Sequence, residues 1–298
     1  MMVKVNGMGF YSHLLMQHQY AFVDRATTYK DAYELYPIIP LVPDSLRSDA
    51  NKMPALIPLM PDAPYMERLA ACMTLGQEMP YLDPVATLIA VPPDVSQDLL
   101  VRHFISRLIC DSPQGKMYLR YFSSDIFPHL VRVLSAERLK SLFGKVDQWT
   151  YHFQNEWITV PAPDVTEGVP VIWRVLQGQR EAIDLLGMVN RVLGDHKEQM
   201  GRPWKNHAEW NEKARIAEAS FGIAQRVYHL SDSADLTTFA RQAMAHGERF
   251  YHHPRIHDLL QHTASRPGAY SDASRSITNG EWVKIATELP LHTKFRGE

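Results

Sequence analysis

The distribution of proline constrains the fold of this chain more than any other sequence feature. Of the 20 prolines, 16 lie at or before Pro170 and only four follow. Because proline interrupts helices and is common in loops and at strand edges, the proline-rich part is predicted to form short strands and helices joined by loops. The remainder has room for long helices. A connector is predicted near 161–178, which divides the chain into domains 1–165 and 166–298.

Short apolar segments in the first domain predict strands. Three of them have the length of buried strands and are bounded by proline or aspartate, namely 20–24, 53–60 and 85–91. Residues 116–122 predict a further strand. Residues 149–153 and 157–160 predict the two arms of a hairpin.

Apolar residues at helical spacing separate these strands. The patterns cover 66–73, 96–110 with Ser96 as N-cap, 127–134, and a helix that follows Ser135 and ends at Gly144. A glycine at that last position suits a left-handed cap. Strands that alternate with helices predict an N-terminal α/β lobe in which a small sheet is covered by helices.

The second domain is predicted to be helical throughout. Apolar residues recur at helical spacing within 179–198, 207–229 and 236–243. Thr278 and Glu281 form the pattern of a capping box at the start of another helix. The predicted fold class is therefore α+β, with an N-terminal α/β lobe followed by an all-helical C-terminal lobe.

Charge and composition argue against nucleic acids and membranes as partners. The chain has 31 basic and 33 acidic residues, so it lacks the basic excess that binds a phosphate backbone. It has no run of about 18 apolar residues and no apolar signal segment near the N-terminus. Its two cysteines, Cys72 and Cys110, fall on segments predicted as helical and make no disulfide framework. A cytoplasmic location is predicted.

The sequence lacks the local motifs of several enzyme classes. Gly115-Lys116 has neither the upstream glycine nor the hydroxyl residue of a phosphate-binding loop. Gly7 and Gly9 lack the third glycine of a dinucleotide-binding motif. Neither G-x-S-x-G nor H-E-x-x-H occurs. We therefore predict that the protein is not an enzyme and has no catalytic residues, no metal site and no cofactor.

A cluster of histidines is the main local concentration of reactive side chains. Five histidines lie between His246 and His262, and His253 and His257 have the i, i+4 spacing of two metal ligands on one helix. Pro254, however, is predicted to start a new helix and to leave His253 at its cap. A metal-dependent hydrolase using His253, His257 and Asp258 is therefore a minor alternative. The favoured interpretation is a histidine-rich surface or interface.

Tyrosines in residues 29–36 admit two interpretations. Tyr29, Tyr33 and Tyr36 precede a proline-rich apolar run, and tyrosine is a common anchor of protein interfaces. Alternatively, Tyr33 and Tyr36 close over the sheet. The sequence leaves both open.

The order of several segments resembles a known family. The segments are Tyr20-Ala21-Phe22-Val23-Asp24, Leu35-Tyr36-Pro37, Pro54-Ala55-Leu56-Ile57-Pro58-Leu59, 86–104, Tyr118-Leu119-Arg120-Tyr121-Phe122, Leu142-Phe143-Gly144 and Trp149. A weaker likeness continues from Phe239-Ala240 to His253-Pro254. This order is similar to that of domain of unknown function 4123, the adaptor chaperones of bacterial type VI secretion. Ser123-Ser124-Asp125 departs from it, since the family often has Asp-Pro-Arg there.

The resemblance implies a binding function without catalysis. Such adaptors hold a toxic effector in the producing cell and load it onto the spike protein of the secretion machine. The expected partners are therefore a secreted toxic effector and the type VI spike protein. The alternative in the same class is an immunity-type or structural protein that neutralises a toxin by binding it.

Aromatic and arginine side chains are the predicted anchors for these partners. The predicted set is Tyr33, Tyr36, Arg120 and Tyr121 on the first lobe, and Arg249, Tyr251 and Arg255 on the second. Each has a plainer alternative, which is core closure for the tyrosines and solvated charge for the arginines. Arg120 has a further one, an internal ion pair with Asp24 or Asp125.

Overall fold

The computed structural model confirms the α+β class. It describes residues 3–4, 8–76, 78–112, 115–154, 156–165, 173, 176–263 and 266–289. The chain divides into two compact units, Met1–Ile183 and Asp184–Glu298. Sheets occupy the first unit, and the described residues of the second contain helices and no strand.

The first unit is built on a seven-stranded sheet whose neighbouring strands are all antiparallel. The described strands of the whole unit are β1 (Val3–Lys4), β2 (Tyr20–Val23), β3 (Ile39–Pro40), β4 (Ala55–Pro58), β5 (Thr87–Ala90), β6 (Ile109–Ser112), β7 (Gly115–Tyr118), β8 (Gln148–Phe153) and β9 (Glu156–Pro161). The order in the large sheet is β1-β9-β8-β5-β2-β4-β3, while β6 and β7 form a separate two-stranded sheet. The predicted strands within 20–24, 53–60 and 85–91 and the predicted hairpin are confirmed.

Among the described residues, six α-helices lie wholly within the first unit. They are α1 (Met8–Met16), α2 (Lys30–Tyr33), α3 (Met66–Gly76), α4 (Gln97–Leu108), α5 (Phe127–Val133) and α6 (Ala136–Phe143). The four helices predicted from spacing are confirmed, and the Ser96 side chain accepts a hydrogen bond from the Leu99 N–H as expected of an N-cap.

The large sheet is buried on both faces because its central strands alternate between two cores. Ala21 and Val23 of β2 pack with helices α1 and α3. Phe22, between them, faces the other way and stacks on Trp149 of β8, with ring centroids 5.3 Å apart. Phe127 of α5 stacks on the opposite side of Trp149 at 4.7 Å. Because successive side chains of a strand point to opposite faces, each face of the sheet presents apolar residues on which helices pack.

The strand predicted over 116–122 ends earlier than expected. The pairing of β7 with β6 ends at Tyr118. One further hydrogen bond runs from the Leu119 N–H to the Leu108 carbonyl at 2.9 Å. Beyond it the chain turns, so that Tyr121 enters the aromatic core.

The prediction that Cys110 lies on a helix is also wrong, since α4 ends at Leu108 and Cys110 belongs to β6. Cys72 lies on α3 as predicted.

The first unit continues past the predicted domain boundary at 165/166. The Trp173 indole N–H donates to the Arg107 carbonyl at 3.1 Å, and the Arg107 guanidinium lies 5.3 Å from the centre of the indole ring. The Arg180 guanidinium donates to Ser112 Oγ at 2.5 Å. These contacts attach Trp173 and Arg180 to α4 and β6, as expected for residues of the first unit. Residues 166–172 and 174–175 of the predicted connector lie outside the described residues.

Helices form the second unit. They are α7 (Gln177–Met200), which begins in the first unit, α8 (His207–Arg226), α9 (Ser233–His246), α10 (Pro254–Thr263), α11 (Ala269–Ser274) and α12 (Asn279–Glu288). The predicted capping box is present at the start of α12, and α10 begins at Pro254 as predicted. The buried Asp235 carboxylate accepts the backbone N–H groups of Gly268 and Ser271, which fixes the start of α11.

Gly144 provides a test of how tightly α6 is packed. Its φ is +60°, and a Cβ atom at this position would lie 2.4 Å from the His103 ring. We expect Gly144→Ala to lower the free energy of unfolding by roughly 2–4 kcal/mol, because backbone strain adds to overpacking. Urea denaturation measures the change.

The matched control is Gly201→Ala. Gly201 has a φ of +61°, yet a Cβ atom added there would meet nothing within 4 Å. This variant therefore reports the cost of the backbone conformation alone, roughly 1 kcal/mol. Equal losses for the two variants would contradict the close packing of His103 on Gly144.

Candidate partner-binding site

Tyr33 and Tyr36 lie in the core of the first unit. The Tyr33 ring lies 5.6 Å from the Arg25 guanidinium carbon, and the Tyr36 hydroxyl donates to Cys72 Sγ at 3.4 Å. Both residues are at least 95% buried, and burial raises the pKa of Tyr36 above its ordinary value. Neither ring presents an accessible surface, and this burial weighs against the predicted contact with a partner. They close over the sheet, which is the alternative that the sequence left open.

Tyr121 is also a core residue. Its ring packs edge-on against Phe22 and Trp149, and its hydroxyl donates to the Phe104 carbonyl at 2.8 Å. The side chain is fully buried, and this burial raises the pKa of the hydroxyl well above its ordinary value. This burial likewise weighs against the predicted partner contact, since Tyr121 fills the space between α4 and the sheet.

Arg120 forms an internal ion pair with Asp24. Asp24 follows β2 and is buried, and its other carboxylate oxygen accepts the Ala26 N–H at 3.2 Å. The Arg120 guanidinium donates to Asp24 Oδ2. A buried carboxylate needs such a partner because water cannot solvate it. Of the two acidic residues that the sequence offered, the structure places Asp24 against Arg120.

The three anchors predicted on the second lobe remain at least partly accessible. Arg249 and Tyr251 are partly exposed, and Arg255 is exposed. All three lie in or beside the turn between α9 and α10. Together with the exposed His252 and His257 they define what we call the 249–257 surface, which consists of Arg249, Tyr251, His252, Arg255 and His257.

Aromatic contacts make the 249–257 surface continuous. The Tyr251 and His252 rings lie 4.5 Å apart. The buried Tyr228 contacts Tyr251 at 5.9 Å and His257 at 6.1 Å, and its hydroxyl lies 3.5 Å from His257 Nδ1. Tyr228 thus supports two exposed or partly exposed rings from below. The surface carries two arginines, with Glu281 against Arg255.

The remaining histidines of the cluster have separate structural partners. His253 Nε2 lies 3.0 Å from Glu288 Oε2, and His246 stacks on Trp282 with ring centroids 4.4 Å apart. Burial lowers the pKa of His246. Within the described part of the chain, no group of three or more His, Cys, Asp or Glu side chains is arranged to hold a metal ion. His253 and His257 contact different elements, so this geometry offers the hydrolase alternative no support.

The cysteines do not form a reactive site among the described residues. Cys110 is buried, and this burial raises the pKa of its thiol to about 11, so the thiol stays protonated at neutral pH. Cys72 accepts the hydrogen bond from Tyr36 described above. Both cysteines therefore act as small packing residues.

The structure has an exposed pair of tyrosines, of which the sequence pointed to only one. Tyr29, which the sequence suggested as a surface aromatic residue, contacts the exposed Tyr81 with ring centroids 5.4 Å apart. Tyr81 belongs to the short 3-10 turn Pro80–Leu82. No local pattern distinguishes Tyr81 from a buried tyrosine, because its exposure depends on how the turn packs after α3. We call these two residues the tyrosine pair.

No protein-family model, curated protein or solved structure matches this chain. No helix among the described residues combines the length and apolar character needed to cross a membrane.

The Asp24–Arg120 ion pair gives a prediction about stability. Arg120→Met leaves a buried carboxylate without its countercharge, so we expect the free energy of unfolding at pH 7 to fall by about 2–4 kcal/mol. The double variant Asp24→Asn, Arg120→Met removes both charges and should lose less than Arg120→Met alone. A thermodynamic cycle from urea denaturation measures the coupling. A double variant that is less stable than both single variants would argue against the pair.

Buried and partly buried histidines predict a loss of stability in mild acid. Burial lowers the pKa of His18, His103 and His152, the last to about 4. The unfolded chain then binds more protons between pH 6.5 and pH 4, so the free energy of unfolding must fall as pH falls through this range. His152→Phe cannot titrate and therefore escapes the part of this loss that His152 causes. We expect the free energy of unfolding of the variant, minus that of wild type, to be about 1–2 kcal/mol larger at pH 5 than at pH 7.5. An unchanged difference at the two pH values would contradict the burial of this ring.

Proposed function

We propose that this protein is an adaptor chaperone that binds a toxic effector in the cytoplasm and loads it onto the type VI secretion spike. Recognition is between proteins and involves no catalysis. The order of motifs along residues 20–149 supports this proposal through its resemblance to the adaptor family. The structural observation that carries it is the 249–257 surface, where aromatic and arginine side chains are accessible on a firm support.

Tyr251 is suited to act as an interface anchor because its ring is already held in place. It stacks on the buried Phe239 at 5.7 Å and meets Tyr228 edge-on. A ring fixed before binding loses little conformational entropy when a partner covers it. Tyrosine also combines a large apolar area with a hydroxyl that tolerates water, and such residues often dominate binding energy.

Arg255 is likewise oriented before any partner binds. Its guanidinium pairs with Glu281, the acidic residue of the α12 capping box. Glu281 also accepts the Thr278 N–H at 2.7 Å, and the hydrogen bonds from Arg255 and Thr278 lower the pKa of its carboxyl to about 2. The carboxylate therefore stays charged and keeps Arg255 in place while the guanidinium retains free donors for a partner.

The proposal assigns the 249–257 surface to the effector. We expect the double variant Tyr251→Ala, Arg255→Ala to recover at least tenfold less effector than wild type, because two central anchors are removed. The measurement is affinity purification of the tagged protein from a bacterial host with its own type VI system, with quantitative mass spectrometry of the bound proteins. Circular dichroism checks that the variants remain folded.

Arg202→Ala is the matched control. Arg202 is an arginine of the same unit, its side chain is about as exposed as that of Arg255, and it also pairs with one glutamate, Glu209. Its removal should leave effector recovery unchanged. Equal recovery with wild type, the control and the double variant would refute the assignment of this surface. Absence of any effector or spike protein from the wild-type sample would refute the adaptor function itself.

The same material separates an adaptor from an immunity-type protein. Purified effector is divided into its toxic domain and the remainder, and each part is tested for binding. An adaptor is expected to bind outside the toxic domain and to leave toxicity intact. Binding to the toxic domain with loss of toxicity would instead establish the immunity alternative.

A further inference from the structure

The tyrosine pair exposes aromatic surface that the fold does not use. Tyr29 is 61% exposed and Tyr81 is 47% exposed, although their rings touch each other. The two residues come from different segments, one just before α2 and the other in the turn after α3. Two large aromatic rings placed side by side in water cost free energy that a partner would recover by covering them.

The backbone holds the tyrosine pair in a defined position. The Tyr29 N–H donates to the Tyr81 carbonyl at 3.0 Å, which joins the two segments directly. On one side, the Thr28 N–H is bonded to the Asp24 carbonyl at 3.0 Å, and on the other, the Leu82 N–H is bonded to the Met79 carbonyl at 2.9 Å. The rings therefore extend from ordered backbone, so little entropy is lost when they are covered.

Acidic residues flank the tyrosine pair in the sequence of both segments. Lys30, Asp31 and Glu34 follow Tyr29, and Glu78 precedes Tyr81. Lys30 is paired with Glu34 at 3.1 Å, whereas Asp31 and Glu78 form no ion pair within 4.0 Å to other described residues. The segments thus contribute three carboxylates against one lysine.

The nearest arginine in the sequence does not neutralise this surface. Arg25 donates to the Ala50 carbonyl at 3.0 Å and lies over the ring of the buried Tyr33. Its charge is therefore directed toward the core side of α2. Among the residues that flank the exposed tyrosines in the sequence, the unpaired side-chain charges are those of Asp31 and Glu78.

We propose that the tyrosine pair is a second partner-binding surface, and that it takes an arginine side chain from a segment of a partner protein. The faces of tyrosine rings attract cations, and nearby carboxylates add to this attraction. A planar guanidinium stacks on a tyrosine ring and donates to a carboxylate at the same time, which a lysine ammonium does less well. This surface is distinct from the 249–257 surface, and the proposal does not depend on the adaptor function.

The test uses a defined peptide as the probe. It is an acetylated and amidated hexapeptide of alternating glycine and arginine, and its partner probe replaces each arginine by citrulline, which has the same shape without charge. The full-length protein carries carbon-13 in its tyrosine rings, and NMR titration follows the Tyr29 and Tyr81 signals. Tyr29→Phe and Tyr81→Phe assign these signals.

The arginine peptide is expected to shift both ring signals in a saturable manner. Tyr29→Ala, Tyr81→Ala should weaken binding at least tenfold, and Asp31→Asn, Glu78→Gln about threefold, with a smaller dependence on salt. The citrulline peptide should bind at least fivefold more weakly than the arginine peptide. Leu99→Ala removes a comparably exposed apolar side chain on α4 and is expected to change nothing.

Three results would overturn the proposal. One is the absence of a saturable shift of either ring at millimolar arginine peptide, and another is equal binding of the arginine and citrulline peptides. The third is self-association of the protein that Tyr29→Ala, Tyr81→Ala abolishes, because the occupant would then be a second copy of this chain. Since the probe is not an effector, each result leaves the test of the 249–257 surface unaffected.

Discussion

The stack of Phe22, Trp149 and Phe127 is the interaction on which the first unit depends. It joins two central strands of the sheet, β2 and β8, to helix α5 through fully buried rings. Phe104 of α4 meets the same group edge-on, at 4.8 Å from Phe22. Rings of this size contribute a large buried apolar area, and their offset and edge-on contacts restrict how neighbouring elements are arranged. The strand alternation then directs Ala21 and Val23 to the opposite core.

This arrangement decides which polar groups must be neutralised inside the unit. Because β2 lies in the middle of the sheet, the residue that follows it, Asp24, is buried. Its carboxylate therefore requires Arg120 and a backbone N–H. Arg120 and Tyr121, which look like interface anchors in the sequence, are thereby committed to the interior and its border. In the proposed function, recognition therefore falls to side chains at the ends of helices and in turns, where the backbone is ordered and the rings stay accessible.

The second unit supports its accessible residues by a different means. Its aromatic core, including Phe239 and Tyr228, lies directly beneath the turn before α10. The contact of His253 with Glu288 and the ion pair of Arg255 with Glu281 then connect that turn and the start of α10 to α12. Exposed pairs of this kind add little stability individually, but they fix the orientation of side chains that a partner would meet. Packing from below and pairing from the side together provide the support that our proposed function requires.

Local signals in the sequence determined the class of fold and most of the elements. The strand at 20–24, the helix after Ser96 and the capping box at Thr278 follow from apolar spacing and capping, because these depend on residues a few positions apart. Tertiary structure alone decided the length of the strand that begins near Gly115, the extension of the first unit to Ile183, and which anchors are accessible. Tyr29 and Tyr121 are both tyrosines of the first unit, yet one is exposed and the other is enclosed by rings from Phe22 and Trp149. Burial depends on packing partners that lie far away along the chain, and a local sequence pattern does not identify them.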